Sequence, residues 1–363
     1  MNVFAGKNFR LYVDIGSSFL PFFSAFSSDG LVKCGEVSLN GTLKDVIASD
    51  NNKELYAHVT DELSGNFFYK IETKPNLKKT FLFSLGGKIT VRPFIHENSI
   101  FVLLAGESEE PYWLNKASVA TGTITWKHKL EEKQTPKMLW VGFDKIFILY
   151  EDKIKVSYKA VLPIEESFEI KLPDNVQSLP LISDGTMLLS TESDLYMLDL
   201  QESKITRRYK NEDQLSTLFF NGKYIIGGNK RGQITGYTTD GKRQWSFRAG
   251  GEITSISGLK GAVLVSSLDN TWYILRNKDG KLLRKFRFPS RITDALISEN
   301  KALWYDIFTN SLNLINLSSG TAEGIFFPSN NETLIALGKA SQELVYVATR
   351  NKIILLGYSK CPR

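Results

Sequence analysis

Few side chains suited to chemistry are present in this sequence, and they are far apart. The 363 residues include two cysteines, Cys34 and Cys361, and three histidines, His58, His96 and His128. Because there is no Cys-x-x-Cys pair, the sequence predicts neither a zinc site nor a thioredoxin-like motif. The histidines are isolated from one another and from acidic pairs, so we predict ordinary strand or loop residues. No Gly-x-Ser-x-Gly hydrolase elbow is present either, and we predict no catalytic residue, cofactor or metal, with a serine–histidine–aspartate arrangement left open.

Positive charge is the most informative remaining signal. Residues 204–291 contain 18 Lys and Arg against 6 Asp and Glu, a net charge of +12, whereas the rest of the chain has a net charge of −6. Such a surface suits an acidic protein, a nucleic acid or an anionic membrane surface. The alternative is a solvated rim that guards exposed sheet edges against pairing. The candidate partner-binding residues are Arg207, Arg208, Lys230, Arg231, Lys242, Arg243, Arg284, Lys285 and Arg287.

The elements that must position these residues are short strands. Between Asn229 and Phe288, alternating apolar runs of strand length are separated by turn dipeptides. One pattern occurs twice, at 232–247 and 270–286, and its Asp-Gly-Lys triplets begin at positions 39 residues apart. A period of roughly 40 residues with four strands per period is typical of a β-propeller blade.

Applied to the whole chain, this period predicts an all-β propeller of eight four-stranded blades, with seven as the alternative count. Residues 331–359 hold three strands, and 29–41 contain an outer strand at 31–39. We expect these terminal strands to pair antiparallel, which completes the eighth blade and removes two sheet edges. Residues 1–28 are then left as extra strands, and 1–363 is predicted to be one domain. The seven complete units are expected at 43–87, 88–133, 134–174, 175–213, 214–251, 252–290 and 291–330.

This closure also bears on the cysteines and on the compartment. It brings Cys34 towards Cys361, but the register leaves them offset, so we predict two free thiols, which suit a reducing cytoplasm. Asp14 and serines interrupt the apolar stretch near the start, so it is read as strands rather than as a signal peptide. We therefore expect a cytoplasmic protein, or a periplasmic or extracellular one if an upstream signal peptide is missing from this sequence.

Two segments, Ser118–His128 (SVATGTITWKH) and Tyr237–Phe247 (YTTDGKRQWSF), resemble the repeat of the PQQ-like propellers. In that family a turn containing Thr-Gly is followed by a tryptophan that docks against the next blade. A large flat ring suits that place because it fills the gap that widens between neighbouring sheets. The matching turn glycines and tryptophans are Gly122, Gly241, Trp126 and Trp245.

Other blades depart from this repeat. The tryptophan position holds Thr206-Arg207, Leu283-Arg284 and Glu323-Gly324, and Asn270 replaces a turn glycine. Quinoprotein dehydrogenases of the family have a vicinal cysteine pair over the quinone, which this sequence lacks. The resemblance therefore implies a diverged, non-catalytic member with a WD40-like architecture, similar to the BamB-type scaffold of outer-membrane assembly.

A second, shorter resemblance lies near the start of the chain. Val13–Ser18 (VDIGSS), followed by Asp29-Gly30, is similar to the first phosphate-binding hairpin of the actin and sugar-kinase superfamily. In that family glycine lets the backbone approach a phosphate and the aspartate holds Mg²⁺. The superfamily also needs further glycine-rich hairpins followed by helices. Here Gly86-Gly87, Gly227-Gly228 and Gly250-Gly251 lie between strand-like runs, which argues against that fold.

Taken together, the sequence favours a non-catalytic protein-interaction scaffold. It would hold a protein partner, acidic in character, through its loop faces and its basic residues. Binding of a nucleic acid or an anionic surface through 204–291 is the second hypothesis, and a quinoprotein or nucleotide-dependent enzyme is the third. No window approaches 18 uncharged apolar residues, so we expect no transmembrane segment.

Overall fold

Strands are the only regular elements in the part of the chain that this computed structural model describes. That part comprises residues 11–14, 19–22, 30–49, 54–61, 63, 65–73, 77–106, 112–158, 167–178, 180–288, 295–298, 300–328, 332–341, 343–358 and 360–361. Across these residues there is no helix of the length and apolarity that crossing a membrane requires.

The strands are short throughout the chain. Strands β1 to β15 are β1 (Leu11–Asp14), β2 (Phe19–Phe22), β3 (Leu31–Ser38), β4 (Thr42–Ala48), β5 (Glu54–Thr60), β6 (Asn66–Glu72), β7 (Lys78–Leu85), β8 (Phe94–His96), β9 (Ser99–Leu104), β10 (Trp113–Ser118), β11 (Ile124–Lys129), β12 (Met138–Gly142), β13 (Lys145–Leu149), β14 (Lys153–Tyr158) and β15 (Ser167–Lys171). Strands β16 to β34 are β16 (Leu181–Ser183), β17 (Thr186–Ser190), β18 (Asp194–Asp199), β19 (Lys204–Lys210), β20 (Thr217–Phe220), β21 (Tyr224–Gly228), β22 (Gln233–Thr238), β23 (Arg243–Arg248), β24 (Ile253–Leu259), β25 (Ala262–Ser267), β26 (Thr271–Arg276), β27 (Leu282–Arg287), β28 (Leu296–Ser298), β29 (Lys301–Asp306), β30 (Ser311–Asn316), β31 (Ala322–Phe326), β32 (Leu334–Lys339), β33 (Leu344–Thr349) and β34 (Lys352–Tyr358).

These strands form eight four-stranded antiparallel blades of a β-propeller, as the repeat period predicted. Seven blades are built from four consecutive strands, and the eighth has the order β3-β34-β33-β32, so the predicted pairing of N- and C-terminal strands is confirmed. Strands β1 and β2 pair with each other, and β1 extends one blade beyond its outer strand β27. They lie within 1–28, the region left over as extra strands.

The chain divides into two compact units. The first holds the described residues within Met1–Leu31, Pro180–Met197 and Arg207–Asn330, and the second holds those within Val32–Leu179, Leu198–Thr206 and Asn331–Arg363. Blades β20–β23, β24–β27 and β28–β31 belong to the first unit, and blades β4–β7, β8–β11, β12–β15 and β3/β32–β34 to the second. Blade β16–β19 has residues in both. A single domain over 1–363 stays a prediction.

The place of a strand within its blade decides how apolar it is. All six residues of β25 are buried. Val263 and Val265 pack into a cluster with residues of β20–β23, and their neighbours Ala262 and Leu264 pack with Trp304 of β29. Alternate side chains of β25 thus pack on opposite faces of the blade, as the two-residue period of a strand requires. By contrast, the outer strand β19 is exposed at six of its seven residues.

A tryptophan on the outer strand joins one blade to the next, as the repeat predicted. The Trp245 side chain is buried, and its Nε1 donates a hydrogen bond of 2.8 Å to the carbonyl oxygen of Asn277, in the turn after β26. Gly280 in that turn has a φ of 65°, and the indole ring occupies the space that a side chain there would need. Trp126 of β11 is partly buried against the core that includes Leu139 of β12, but its Nε1 has no hydrogen-bond partner among the described residues.

The blade that joins the two ends of the chain corrects one prediction. Cys34 in β3 and Cys361, three residues after β34, form a disulfide with a Cα–Cα distance of 5.4 Å. The expectation of two free thiols is therefore wrong. The predicted register placed Cys361 a few residues past Cys34, but the chain after β34 bends so that the carbonyl of Lys360 approaches Gly357. This bend brings Cys361 level with Cys34.

Candidate functional site

The nine predicted basic residues do not converge on one site. Lys230 and Arg231 lie in the turn between β21 and β22, whereas Lys242 precedes β23 and Arg243 is the first residue of β23. Because successive turns of an antiparallel sheet alternate between its two ends, these two pairs lie at opposite ends of one blade. The other five residues lie within the outer strands β19 and β27.

Arg207 has a structural role that the sequence did not reveal. It occupies the position of the docking tryptophan, and its Nη1 donates a hydrogen bond to the carbonyl oxygen of Thr239, in the turn of the next blade. The hydroxyl of Tyr209 donates to the same oxygen, and the Tyr209 ring lies against Gly241. Two polar side chains here replace the single Trp245 of the following blade.

Arg208 is committed to a carboxylate of its own blade. Its Nη2 donates to Asp194 Oδ2 at 2.7 Å, and its guanidinium lies over the ring of Tyr196 at 5.6 Å. Lys210 approaches the other carboxylate oxygen at 3.5 Å. The hydrogen bond from Arg208 lowers the pKa of Asp194 to about 2. The charge of Arg208 is therefore partly neutralised by Asp194, and Arg208 would attract an acidic partner less strongly than an unpaired arginine.

The three basic residues of β27 differ in exposure. Lys285 lies over the ring of Tyr273 at 5.4 Å and is half-buried, as is Arg284. Arg284 Nη1 is buried without a hydrogen-bond partner among the described residues. Arg287 is exposed. Whether any of the nine residues binds a partner stays a prediction.

A sharper surface feature is a hairpin turn that presents two large apolar side chains. Ile307 and Phe308 follow β29, and their exposed fractions are 56% and 77%. The buried carboxylate of Asp306 accepts hydrogen bonds from the backbone N–H groups of Phe308 at 2.9 Å and Thr309 at 3.4 Å. The hydroxyl of Tyr305 donates to Asn310 Oδ1 at 2.7 Å. The turn is thus held in one shape while its apolar side chains face solvent.

Other exposed apolar and basic residues share this end of the first unit. Strands β29 and β31 run in the same direction because both are antiparallel to β30. Phe327, 61% exposed, follows β31 and therefore lies at the same end of the blade as Phe308. Leu268 and the pair Lys230–Arg231 follow β25 and β21, the second strands of the two preceding blades. Equivalent turns of successive propeller blades lie on one face. We call Lys230, Arg231, Leu268, Ile307, Phe308 and Phe327 the apolar–basic face.

The sequence contained a signal for this turn that we did not use. The segment Asp306–Asn310 reads DIFTN, with an Asp and an Asn framing two large apolar residues between two strands. Asp and Asn at such positions are typical of turns. Large apolar residues inside a turn cannot reach the core of the blade, so they are candidates for a binding surface.

The second unit contains a cavity of about 870 Å³ at one end of blade β4–β7. His58 of β5 lines it and is only 6% exposed. The ring stacks on Phe68 at 5.1 Å, and its Nε2 lies 2.9 Å from Asn66 Oδ1. Burial lowers the pKa of His58, so the ring is neutral at pH 7. Lys44 and Lys88 also line the cavity.

The three histidines are strand residues, as predicted: His58 in β5, His96 in β8 and His128 in β11. In the described part of the chain, no three His, Cys, Asp or Glu residues are grouped closely enough to hold a metal ion. The motif Val13–Ser18 extends beyond the described residues, so its resemblance to a phosphate-binding hairpin is not carried further.

These sheets and their order define a β-propeller, and comparison with solved structures supports that class. The fold is similar to the C-terminal WD40 domain of Sif2, with a TM-score of 0.66, 14% identity, and coverage of 93% of this chain and 100% of that one. It is similar to BamB from Moraxella catarrhalis, with a TM-score of 0.64, 13% identity, and coverage of 92% and 99%. It is also similar to the computationally designed Ika8 protein, with a TM-score of 0.65, 13% identity, and coverage of 88% and 98%.

At these identities the similarity establishes the fold alone. No protein-family model matches the sequence, and no curated protein matches it. Both a BamB and a WD40 domain are among the similar structures, so the β-propeller is supported in general terms. Membership of the PQQ-like branch rests on the repeat around Trp126 and Trp245 and stays a prediction.

Proposed function

We propose that this protein is a non-catalytic interaction scaffold that binds a protein partner through the apolar–basic face. The observation that carries the proposal is the turn at Ile307 and Phe308, where two large apolar side chains are held exposed by hydrogen bonds to Asp306. An apolar surface of this kind on a folded protein is typical of a binding site.

The energetics favour such a turn as the centre of an interface. Burying a Phe or Ile side chain that is otherwise exposed contributes about 1.5 to 3 kcal/mol. Because the turn is already fixed by Asp306, Tyr305 and Asn310, little conformational entropy is lost on binding. Few residues carry most of the energy in typical interfaces, and aromatic residues are prominent among them.

The basic residues on this face add selectivity for an acidic partner. Lys230 and Arg231 are exposed and make no ion pair with any described residue. Complementary charge at the edge of an interface raises the association rate and disfavours partners of the wrong sign. Nucleic-acid binding has less support, because Lys242 and Arg243 lie at the opposite end of the blade from this pair.

A photo-crosslinking experiment in the native host tests this proposal. Benzoylphenylalanine is placed at position 308 and, in a matched control, at Phe143, which is 46% exposed in the turn between β12 and β13. We expect the 308 probe to capture one or a few proteins that the 143 probe does not. Ile307→Ser in the same chain should lower that capture at least about tenfold, as expected for loss of roughly 1.4 kcal/mol or more. Identical captured sets at 308 and 143 would refute the proposal.

The disulfide between Cys34 and Cys361 supports an oxidising compartment, such as the periplasm or the cell exterior. Disulfides persist in such compartments and are rare where thiols are kept reduced. We therefore propose the periplasmic or extracellular alternative in place of the cytoplasmic one. Mass mapping of both cysteines in protein alkylated directly in the native cells tests it, and free thiols there would contradict it.

A further inference from the structure

The cavity in the second unit takes no part in the apolar–basic face and has its own chemistry. It opens at the end of blade β4–β7 where β5 and β7 finish. Its charged side chains are those of Lys44, Lys88, Arg92, Asp45 and Asp61. Three cations against two carboxylates give the cavity an excess of one positive charge.

Part of this charge is already paired within the fold. Arg92 Nε donates to Asp45 Oδ2 at 2.7 Å, and its Nη2 donates to the carbonyl oxygen of Val46 at 2.8 Å. Asp61 Oδ1 accepts from the backbone N–H groups of Leu63 at 3.0 Å and Gly65 at 2.8 Å. These contacts fix two walls of the cavity.

The ammonium groups of Lys44 and Lys88 are left over. Both side chains line the cavity, and neither forms an ion pair with any residue in the described ranges. Asp45 is paired with Arg92, and Asp61 keeps its negative charge although its Oδ1 accepts two backbone hydrogen bonds, so Lys44 and Lys88 outweigh it by one positive charge. This excess favours a negatively charged ligand over a positively charged one.

His58 adds a requirement for a hydrogen-bond donor. Asn66 Nδ2 donates to the carbonyl oxygens of Leu85 at 3.2 Å and Gly87 at 2.6 Å, which fixes the amide so that Oδ1 faces His58. Oδ1 can only accept, so His58 Nε2 carries the proton of the neutral ring. Nδ1 is then an acceptor, and it has no partner among the described residues. His58 lines the cavity, so a ligand there that donates a hydrogen bond can pair with this nitrogen.

We propose that this cavity binds an acidic peptide segment of a partner protein. Such a segment supplies a carboxylate for Lys44 and Lys88 together with a backbone N–H for His58 Nδ1, whereas chloride or a phosphodiester supplies only the negative charge. Leu63, 90% exposed in the turn held by Asp61, adds an apolar contact beside the cavity. The volume of about 870 Å³ is within the range of small-ligand sites and accommodates a few residues.

The test uses the whole chain and an array of hexapeptides. Each peptide combines Leu, Ile or Phe with Asp or Glu at varied positions, and each has a counterpart with Asn or Gln at the acidic positions. We expect a subset of acidic peptides to bind and their amide counterparts to bind at least about tenfold more weakly. Lys44→Gln/Lys88→Gln should reduce binding by at least about tenfold. The matched control Lys78→Gln/Lys127→Gln, which changes exposed lysines outside the cavity, should not.

Carbodiimide coupling then locates the bound carboxylate. We expect amide links from the peptide to Lys44 or Lys88, and links mainly to other lysines would overturn the proposal. So would an array in which no acidic peptide exceeds its amide counterpart. Equal competition by free glutarate would assign the cavity to small organic anions instead of peptides. The result is independent of Phe308, because the peptides are tested without the partner that the apolar–basic face would bind.

Discussion

The blade β20–β23 and the blade completed by β3 use the same repeat position in different ways. Trp245 lies four residues after Gly241, and Cys34 lies four residues after Gly30. Trp245 docks on the turn of the next blade, whereas Cys34 is bonded to Cys361 beside its own neighbouring strand. In the first blade a hairpin joins the third and outer strands, but β34 and β3 lie at opposite ends of the chain. The disulfide thus supplies the covalent link that the missing hairpin gives elsewhere.

Blade β16–β19 shows a third use of this position. Arg207 and Tyr209 together bind the Thr239 carbonyl and fill the place beside Gly241. In these three blades the outer strand is fastened at the same repeat position by different means, and in two of them the side chain there also binds a turn carbonyl of the next blade. The fastening therefore does not require tryptophan. Four sets of substitutions, ordered by expected effect, test how the outer strands are held.

Trp245→Ala should have the largest effect. It removes a buried indole that occupies the space beside Gly280 and donates to the Asn277 carbonyl. Truncation of a buried aromatic side chain costs roughly 3 to 5 kcal/mol, and this should appear in the midpoint of urea unfolding. Trp245→Phe keeps an aromatic ring and should lower the free energy of unfolding by less than Trp245→Ala. A cost under about 1 kcal/mol for the alanine variant would remove Trp245 from the docking role.

Loss of the Cys34–Cys361 disulfide should come next. The bond closes a loop with a sequence separation of 327 residues, and removing a native disulfide typically costs about 2 to 5 kcal/mol. We expect Cys34→Ser/Cys361→Ser to match the wild type under reducing conditions in urea unfolding. Stability that is unaffected by both the reductant and the substitution would mean that the strands of this blade need no covalent link.

Asp194→Asn should have a smaller, pH-dependent effect. The pKa of Asp194 is about 2, below its ordinary value of 3.8, so its ionised form stabilises the fold above about pH 4. This contribution is lost as the pH falls through 2. Because Arg208 is half-exposed, we expect only about 1 kcal/mol. Urea unfolding should separate wild type from variant at pH 7 and bring them together near pH 2, and a constant difference would refute the link to Arg208.

Arg207→Ala and Arg287→Ala form the last and smallest comparison. Both side chains are exposed, but Arg207 donates to the Thr239 carbonyl, whereas the described residues offer Arg287 no such bond. Loss of a hydrogen bond of this kind costs about 1 kcal/mol, while an exposed residue without contacts costs within about 0.5 kcal/mol. Thermal unfolding of the two variants side by side gives the difference. Equal midpoints would mean that the hydrogen bond of Arg207 to the Thr239 carbonyl does not stabilise the fold and that Arg207 is only a solvated surface charge.

Much of the candidate site was beyond sequence reasoning. The positive charge of residues 204–291 was evident from the sequence. That Lys230–Arg231 and Lys242–Arg243 lie at opposite ends of one blade follows only from the formation of the sheet. His58 looked isolated because its partner Asn66 is in the next strand, and Lys88 follows β7, two strands further along the chain. The exposed pair Ile307 and Phe308 was visible as a turn, but its exposure depends on the packing of β29 and β30.

The sequence by itself determined the all-β class, the four-strand repeat and the terminal strand that completes the last blade, and it favoured eight blades over seven. These follow from a two-residue apolar period and from turn residues, which act over a few positions and so can be recognised locally. Only the tertiary structure decided the disulfide, the docking role of Arg207 and the cavity beside His58. Each depends on atoms from separate strands meeting within a few ångströms, and a bend such as the one after β34 shifts such atoms without changing the local pattern.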